Sequence, residues 1–165
     1  MPDLAQLGLV RTTGFSSWLI RVVTRADYNH VVTFVGEGNV VSAETSGVQI
    51  LPVEYFPQAV WSHFELTLQQ QATIINFSRA QLGKPYGVLT FLWCGIARLF
   101  GVEHTPRWLL RRLNTRSNWI CSQLADSAYK AAGIHLFTDH RAEGAVVPGD
   151  FEPIWRDAGW LGNLK

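Results

Sequence analysis

The chain has 165 residues, enough for a single domain spanning 1–165 with a sizeable core. A hydrophobic fraction of 47% against 16% charged residues excludes a largely disordered chain. The net charge of +1 supplies no overall attraction to nucleic acid, so none is expected as a partner.

The N-terminus, Met1-Pro2-Asp3-Leu4-Ala5-Gln6-Leu7, has no basic start followed by an apolar stretch. No secretory signal is therefore expected, and synthesis is cytoplasmic. Phe15, Trp18, Leu19 and Val22 recur at helical spacing and predict a short helix over 15–25. His30-Val31-Val32-Thr33-Phe34-Val35 and Asn39-Val40-Val41-Ser42-Ala43-Glu44 are strand-like runs around Gly36-Glu37-Gly38, the pattern of a hairpin. That G-x-G is explained by the hairpin and needs no phosphate. Val48-Gln49-Ile50-Leu51-Pro52-Val53 predicts a third strand.

The period then changes. Trp61, Phe64, Leu68, Ala72, Ile75 and Leu82 predict a helix over 58–82, closed at Gly83 and followed by a Lys84-Pro85-Tyr86-Gly87 turn. Val88 to Phe100 is apolar and helical in pattern, too short to span a membrane and interrupted by Arg98. Cys94 within it reads as a small core hydrophobe. Arg107, Arg111, Arg112 and Arg116 form either a solvated face or a contact for an anionic substrate or surface. Contact with a membrane surface stays open. Ile120, Leu124, Ala128 and Ala131 predict a helix beginning near Cys121 and ending at Gly133, and Val146-Val147 a short strand into a turn. The sum is an α+β fold, a small antiparallel sheet with helices packed against it.

Cys121 carries the chemistry. In the first turn of a helix, unpaired N–H groups and the helix dipole favour a thiolate, and its own N–H is a natural oxyanion donor. A cysteine hydrolase also needs an imidazole in contact with the sulfur and a group that fixes the imidazole. If Gly36-Glu37-Gly38 is a three-residue loop, Val35 faces Asn39, and counting back places His30 opposite Glu44. Opposed residues on one face have Cβ atoms about 4.5–5.5 Å apart. A two-residue loop would slip the register by one and turn Glu44 to the other face. Two cysteines make no disulfide framework, but a Cys94–Cys121 bridge stays open and would remove the nucleophile. His63, His104, His135 and His140 show no metal-ligand spacing, so neither a metal nor another cofactor is expected.

Tyr28-Asn29-His30-Val31, Val40-Val41-Ser42-Ala43-Glu44, Leu82-Gly83-Lys84-Pro85-Tyr86, Trp119-Ile120-Cys121-Ser122-Gln123-Leu124 and Val147-Pro148-Gly149-Asp150-Phe151 occur in that order. In this ordered set the chain resembles the circularly permuted papain-like hydrolases, the YiiX-like, NlpC-type group related to lecithin retinol acyltransferase-like proteins. The resemblance implies Cys121 as nucleophile, His30 as base, Glu44 as the third residue, and Tyr86, Tyr28 and Trp119 at the substrate. Gly87 and Gln123 stand where the group often has acidic residues. Relatives of this kind imply a cysteine amidase or peptidase acting on bacterial cell-wall (peptidoglycan) peptides. With no signal sequence, that implies a phage-encoded or phage-particle protein, a delivered effector or a cytosolic recycling enzyme. Two alternatives stay open: a thioesterase or acyltransferase on lipid-like groups, motivated by Val88–Phe100 and seven tryptophans, and a non-enzymatic interaction module.

Overall fold

β-Branched residues dominate the first of the two runs around Gly36-Glu37-Gly38 and a valine pair opens the second, and both become strands. In the computed structural model, which describes residues 1–13, 26–85, 120–137 and 146–161, five strands form one antiparallel sheet. They are β1 (Leu7–Val10), β2 (His30–Gly36), β3 (Asn39–Glu44), β4 (Gly47–Pro52) and β5 (Val60–Trp61). Their order across the sheet is β4-β3-β2-β1-β5, so the two candidate site strands, β2 and β3, lie side by side in its interior. The described α-helices are α1 (Leu68–Arg79), α2 (Cys121–Ala131) and α3 (Phe151–Asp157). The architecture is α+β, as expected.

The hairpin loop differs from the expected one. Gly36 pairs with Asn39, leaving a two-residue turn of Glu37 and Gly38. Both residues have positive φ, 55° and 71°, the geometry that matches a tight turn to the twist of its strands. The short turn does not slip the register, because an irregularity between Phe34 and Gly36 makes Val35 an extra residue on β2. Beyond this bulge the pairs are Phe34 with Val40 and Thr33 with Val41. The same count carries His30 opposite Glu44. Turn and bulge together give the register that a three-residue loop would have given.

Two other expectations are corrected. The helix expected over 58–82 is shorter, because Thr67 and Gln70 cap each other at its start. Upstream, Trp61 belongs to β5 and pairs with Gly8 on β1. A Cβ at Gly8 would come within 3.0 Å of both the Trp61 ring and Val32, so glycine is what lets the indole lie on the sheet. Leu68, placed on the apolar face by its spacing, is 83% exposed, whereas Ile74 is fully buried. At the other end, Val146-Val147 forms no strand. It leads through a 3-10 turn (Pro148–Asp150) into α3, where Asp150 accepts a 2.8 Å hydrogen bond from the Val147 N–H. Pro153 falls in the first turn of α3, where its missing N–H costs nothing.

The main core lies between sheet and helices. Leu7, Leu9 and Val31 meet Ile74 of α1, Ala125, Ala128 and Tyr129 of α2, and Phe151 and Trp155 of α3. Fully burying a side chain such as Leu or Phe contributes about 1.5–3 kcal/mol. Tyr129 also donates from its phenol to the Ala5 carbonyl at 2.9 Å, which pins α2 to the N-terminal segment. Val35, Val41, Ala43 and Val48 pack around Ile120, Cys121 and Leu124, so the start of α2 is seated on β2–β4. Ala131, counted with the apolar face of this helix, is exposed. The helix expected over 15–25, Val88–Phe100 with Cys94, the arginine cluster, His104 and His140 lie outside the described residues.

Candidate active site

Ile120 is extended and stands as N-cap of α2, so Cys121 is the first helical residue. No side chain caps this end, and the first-turn N–H groups keep the character that favours an anion. The Ser122 hydroxyl donates to the Val146 carbonyl at 2.7 Å and ties the helix start to the segment before α3. Cys121 is a free thiol, 3% exposed, so a bridge to Cys94 does not form.

His30 opens β2, paired with Val10 of β1 on one side and meeting the Glu44 side chain of β3 on the other. The backbone leading to it is held at two points. Glu152 of α3 accepts the Tyr28 N–H at 2.7 Å, and the Asn29 side chain exchanges hydrogen bonds with Thr12 at 2.9 and 2.5 Å. The imidazole stacks on Phe56, ring centroids 5.8 Å apart. Its Nε2 lies 2.7 Å from Ser42 Oγ and 3.2 Å from Glu44 Oε1. Ser42 in turn donates to Glu44 Oε1 at 2.6 Å. The Cys121 thiol lies near enough to the ring to act on its charge. With Nε2 occupied, Nδ1 is the nitrogen left to serve the sulfur.

The electrostatics follow from this arrangement. Burial acts to lower the His30 pKa, but the charge and hydrogen bond of Cys121, then those of Glu44, outweigh it and push it up from 6.5 to about 10. The hydrogen bond from His30 is the main cause holding the Glu44 carboxyl below its usual range; burial opposes it, and the His30 charge and Ser42 assist. Both shifts favour an imidazolium facing the Glu44 carboxylate.

Of the residues singled out from the sequence, the fold brings Cys121, His30 and Glu44 together. Tyr28 is 8% exposed and packs in the main core cluster, two residues before His30. Tyr86 and Trp119 lie outside the described residues. His63 packs against the Trp160 ring, away from this cluster. Ser42, Phe56 and Arg11 were not singled out. Ser42 sits two residues before Glu44 on the same strand face, a period-2 signal that was there to be used. Phe56 and Arg11 had no such signal. Phe56 also borders an open cleft of about 300 Å³ lined by Val10, Arg11, Thr12, Tyr55 and Pro57. The imidazole thus lies behind one wall of a surface cleft.

Among the described residues no group of three or more His, Cys, Asp or Glu is placed to hold a metal ion, and no helix is long and apolar enough to cross a membrane. No protein-family model and no curated protein matches the chain. Among solved structures, the fold is similar to the crystal structure of the metalloprotein yiiX from Escherichia coli O157:H7, with a TM-score of 0.59 and 19% identity over 82% of this chain and 69% of that one. The fold is YiiX-like.

Proposed function

We propose that the protein is a cysteine amidase or peptidase of the circularly permuted papain-like type, with Cys121 as nucleophile, His30 as acid and base, and Glu44 as the group that orients the imidazole. One observation carries this reading. A free thiol on the first residue of a helix lies beside an imidazole whose Nε2 meets a carboxylate at 3.2 Å.

The sulfur, as thiolate, attacks the carbonyl carbon of an amide. The oxyanion that forms takes a hydrogen bond from the Cys121 N–H at the helix start. His30 gives its proton to the departing amine, the C–N bond breaks, and a thioester joins the acyl part to Cys121. Water then attacks the thioester, losing its proton to His30. The C–S bond breaks, the acid leaves, and thiolate and imidazolium are restored.

The cleft beside Phe56 is the proposed seat of the substrate, with the Arg11 side chain on its rim to meet a carboxylate. This suits a bacterial cell-wall peptide, whose γ-glutamyl links carry free carboxylates. The lipid-acyl alternative draws on Val88–Phe100, outside the described residues, and gains no support from the described ones. The direct test is Cys121→Ala against purified peptidoglycan peptides. Cleavage is expected to vanish in the variant, and undiminished cleavage would sink the reading.

A further inference from the structure

Resting on that reading, we infer that Ser42 is a positioning residue, the hydroxyl that joins His30 to Glu44 and holds the imidazole with its Nε2 protonated and its Nδ1 toward Cys121. Ser42 is fully buried and stands two residues before Glu44, on the same face of β3. Its hydroxyl carries one hydrogen. That hydrogen goes to Glu44 Oε1 at 2.6 Å, an oxygen that can only accept while it is ionised. Toward His30 the same oxygen can therefore only accept. The 2.7 Å contact with Nε2 is then an N–H donated by the ring, with Glu44 as a second, longer acceptor at 3.2 Å.

The chain of donors runs in one direction, from imidazole to serine to carboxylate. It leaves no acceptor arrangement for an unprotonated Nε2, so the neutral ring keeps its lone pair on Nδ1. The carboxylate alone would reach the ring only through the longer contact. Ser42 supplies the short one, and Phe56 stacked at 5.8 Å limits tilting of the ring. The site is thus a four-membered relay, with Ser42 acting through His30.

The experiment is the pH profile of Cys121 alkylation by iodoacetamide, read by mass spectrometry in the wild type and in S42A, S42T, E44Q and S42A/E44Q. In S42A the rate at pH 6 is expected to fall roughly tenfold, the scale of one hydrogen bond to a charged group, and the acid limb to move to higher pH. S42T, which keeps the hydroxyl, restores the wild-type profile. The double variant is little worse than E44Q, because the carboxylate is what orients the Ser42 hydroxyl toward His30. An S42A profile that superimposes on the wild type overturns the inference and leaves the proposed nucleophile standing, as do losses that simply multiply in the double variant. If S42T fails to fold around its added methyl, the S42A and E44Q cycle still decides. A wild-type Cys121 that reacts as an ordinary thiol, with an acid limb near pH 8.5, overturns both the inference and the function it rests on.

Discussion

His30 Nε2 lies 3.2 Å from Glu44 Oε1, across two strands whose two-residue turn and single bulge jointly set that meeting. Neither device suffices alone. The turn without the extra Val35 would shift β3 by one residue and put Glu44 on the opposite face. Under the proposed function, E44Q keeps the shape of the site and removes the negative charge that steadies the imidazolium. Amide hydrolysis is expected to fall by about 100-fold in kcat with KM little changed, the scale of losing a well-placed acid–base partner. Steady-state kinetics on a cell-wall peptide check this, and unchanged kcat would remove Glu44 from the proposed machinery.

The surroundings of His30, Cys121 first and then Glu44, make stability depend on pH in a defined direction. His30 has a folded-state pKa raised from 6.5 to about 10. Its charged form therefore stabilises the fold fully below pH 6.5, and this contribution is lost as pH rises toward 10. Glu44 is lowered from 4.5, so its contribution is present above that value and lost as pH falls through the lower folded-state one. Urea unfolding of wild type and His30→Gln at pH 6, 8 and 10 should show the wild type losing stability relative to the variant as pH rises. Parallel curves would mean that His30 is not held as a cation.

Gly47 opens β4 at φ 117°, and a Cβ there would stand 2.9 Å from the Lys84 carbonyl oxygen. That oxygen is already the acceptor for the Val48 N–H, and the Gly83 N–H returns a bond to the Val48 carbonyl, both at 2.9 Å. The pair fastens the segment before Tyr86 to the edge of the sheet. Gly47→Ala should cost about 2 kcal/mol through strain and the displaced carbonyl, measured by chemical denaturation. A cost below about 0.5 kcal/mol, the scale of a neutral surface change, would mean that the clamp yields freely.

Arg11 lines the cleft bordered by Phe56, the ring on which His30 stacks. Arg11→Ala is expected to raise KM about tenfold for a peptide with a free carboxylate next to the scissile amide, leaving kcat nearly unchanged. The corresponding neutral amide should show no such difference. Equal effects on the two substrates would place carboxylate recognition elsewhere.

What could be read from the sequence was what local patterning encodes. The strand-like runs around Glu37-Gly38 marked β2 and β3, and the apolar spacing after Ile120 marked a helix with Cys121 at its start. His30 opposite Glu44 was reached through a loop of the wrong length, and the bulge at Val35 offset the difference. β1 was not visible. Leu7-Gly8-Leu9-Val10 is buried throughout, so the strand has no apolar–polar alternation to betray it. The helix expected over 58–82 was drawn too long because Trp61 and Phe64 happen to continue the helical spacing of α1. α3 was hidden by Gly149 and Pro153, which read as breakers until the capped first turn is seen. Ser42 is one small hydroxyl residue between Val41 and Ala43, and only side-chain geometry shows that it joins His30 to Glu44.

The most direct test of the central claim needs no substrate. It is the rate at which iodoacetamide labels Cys121 at pH 6, compared between wild type and His30→Ala. An ordinary thiol, with a pKa of about 8.5, is almost unreactive there. If Cys121 and His30 work as one unit, the wild type labels readily at pH 6 and the variant at least 10-fold more slowly. Equal rates in the two proteins would contradict the account.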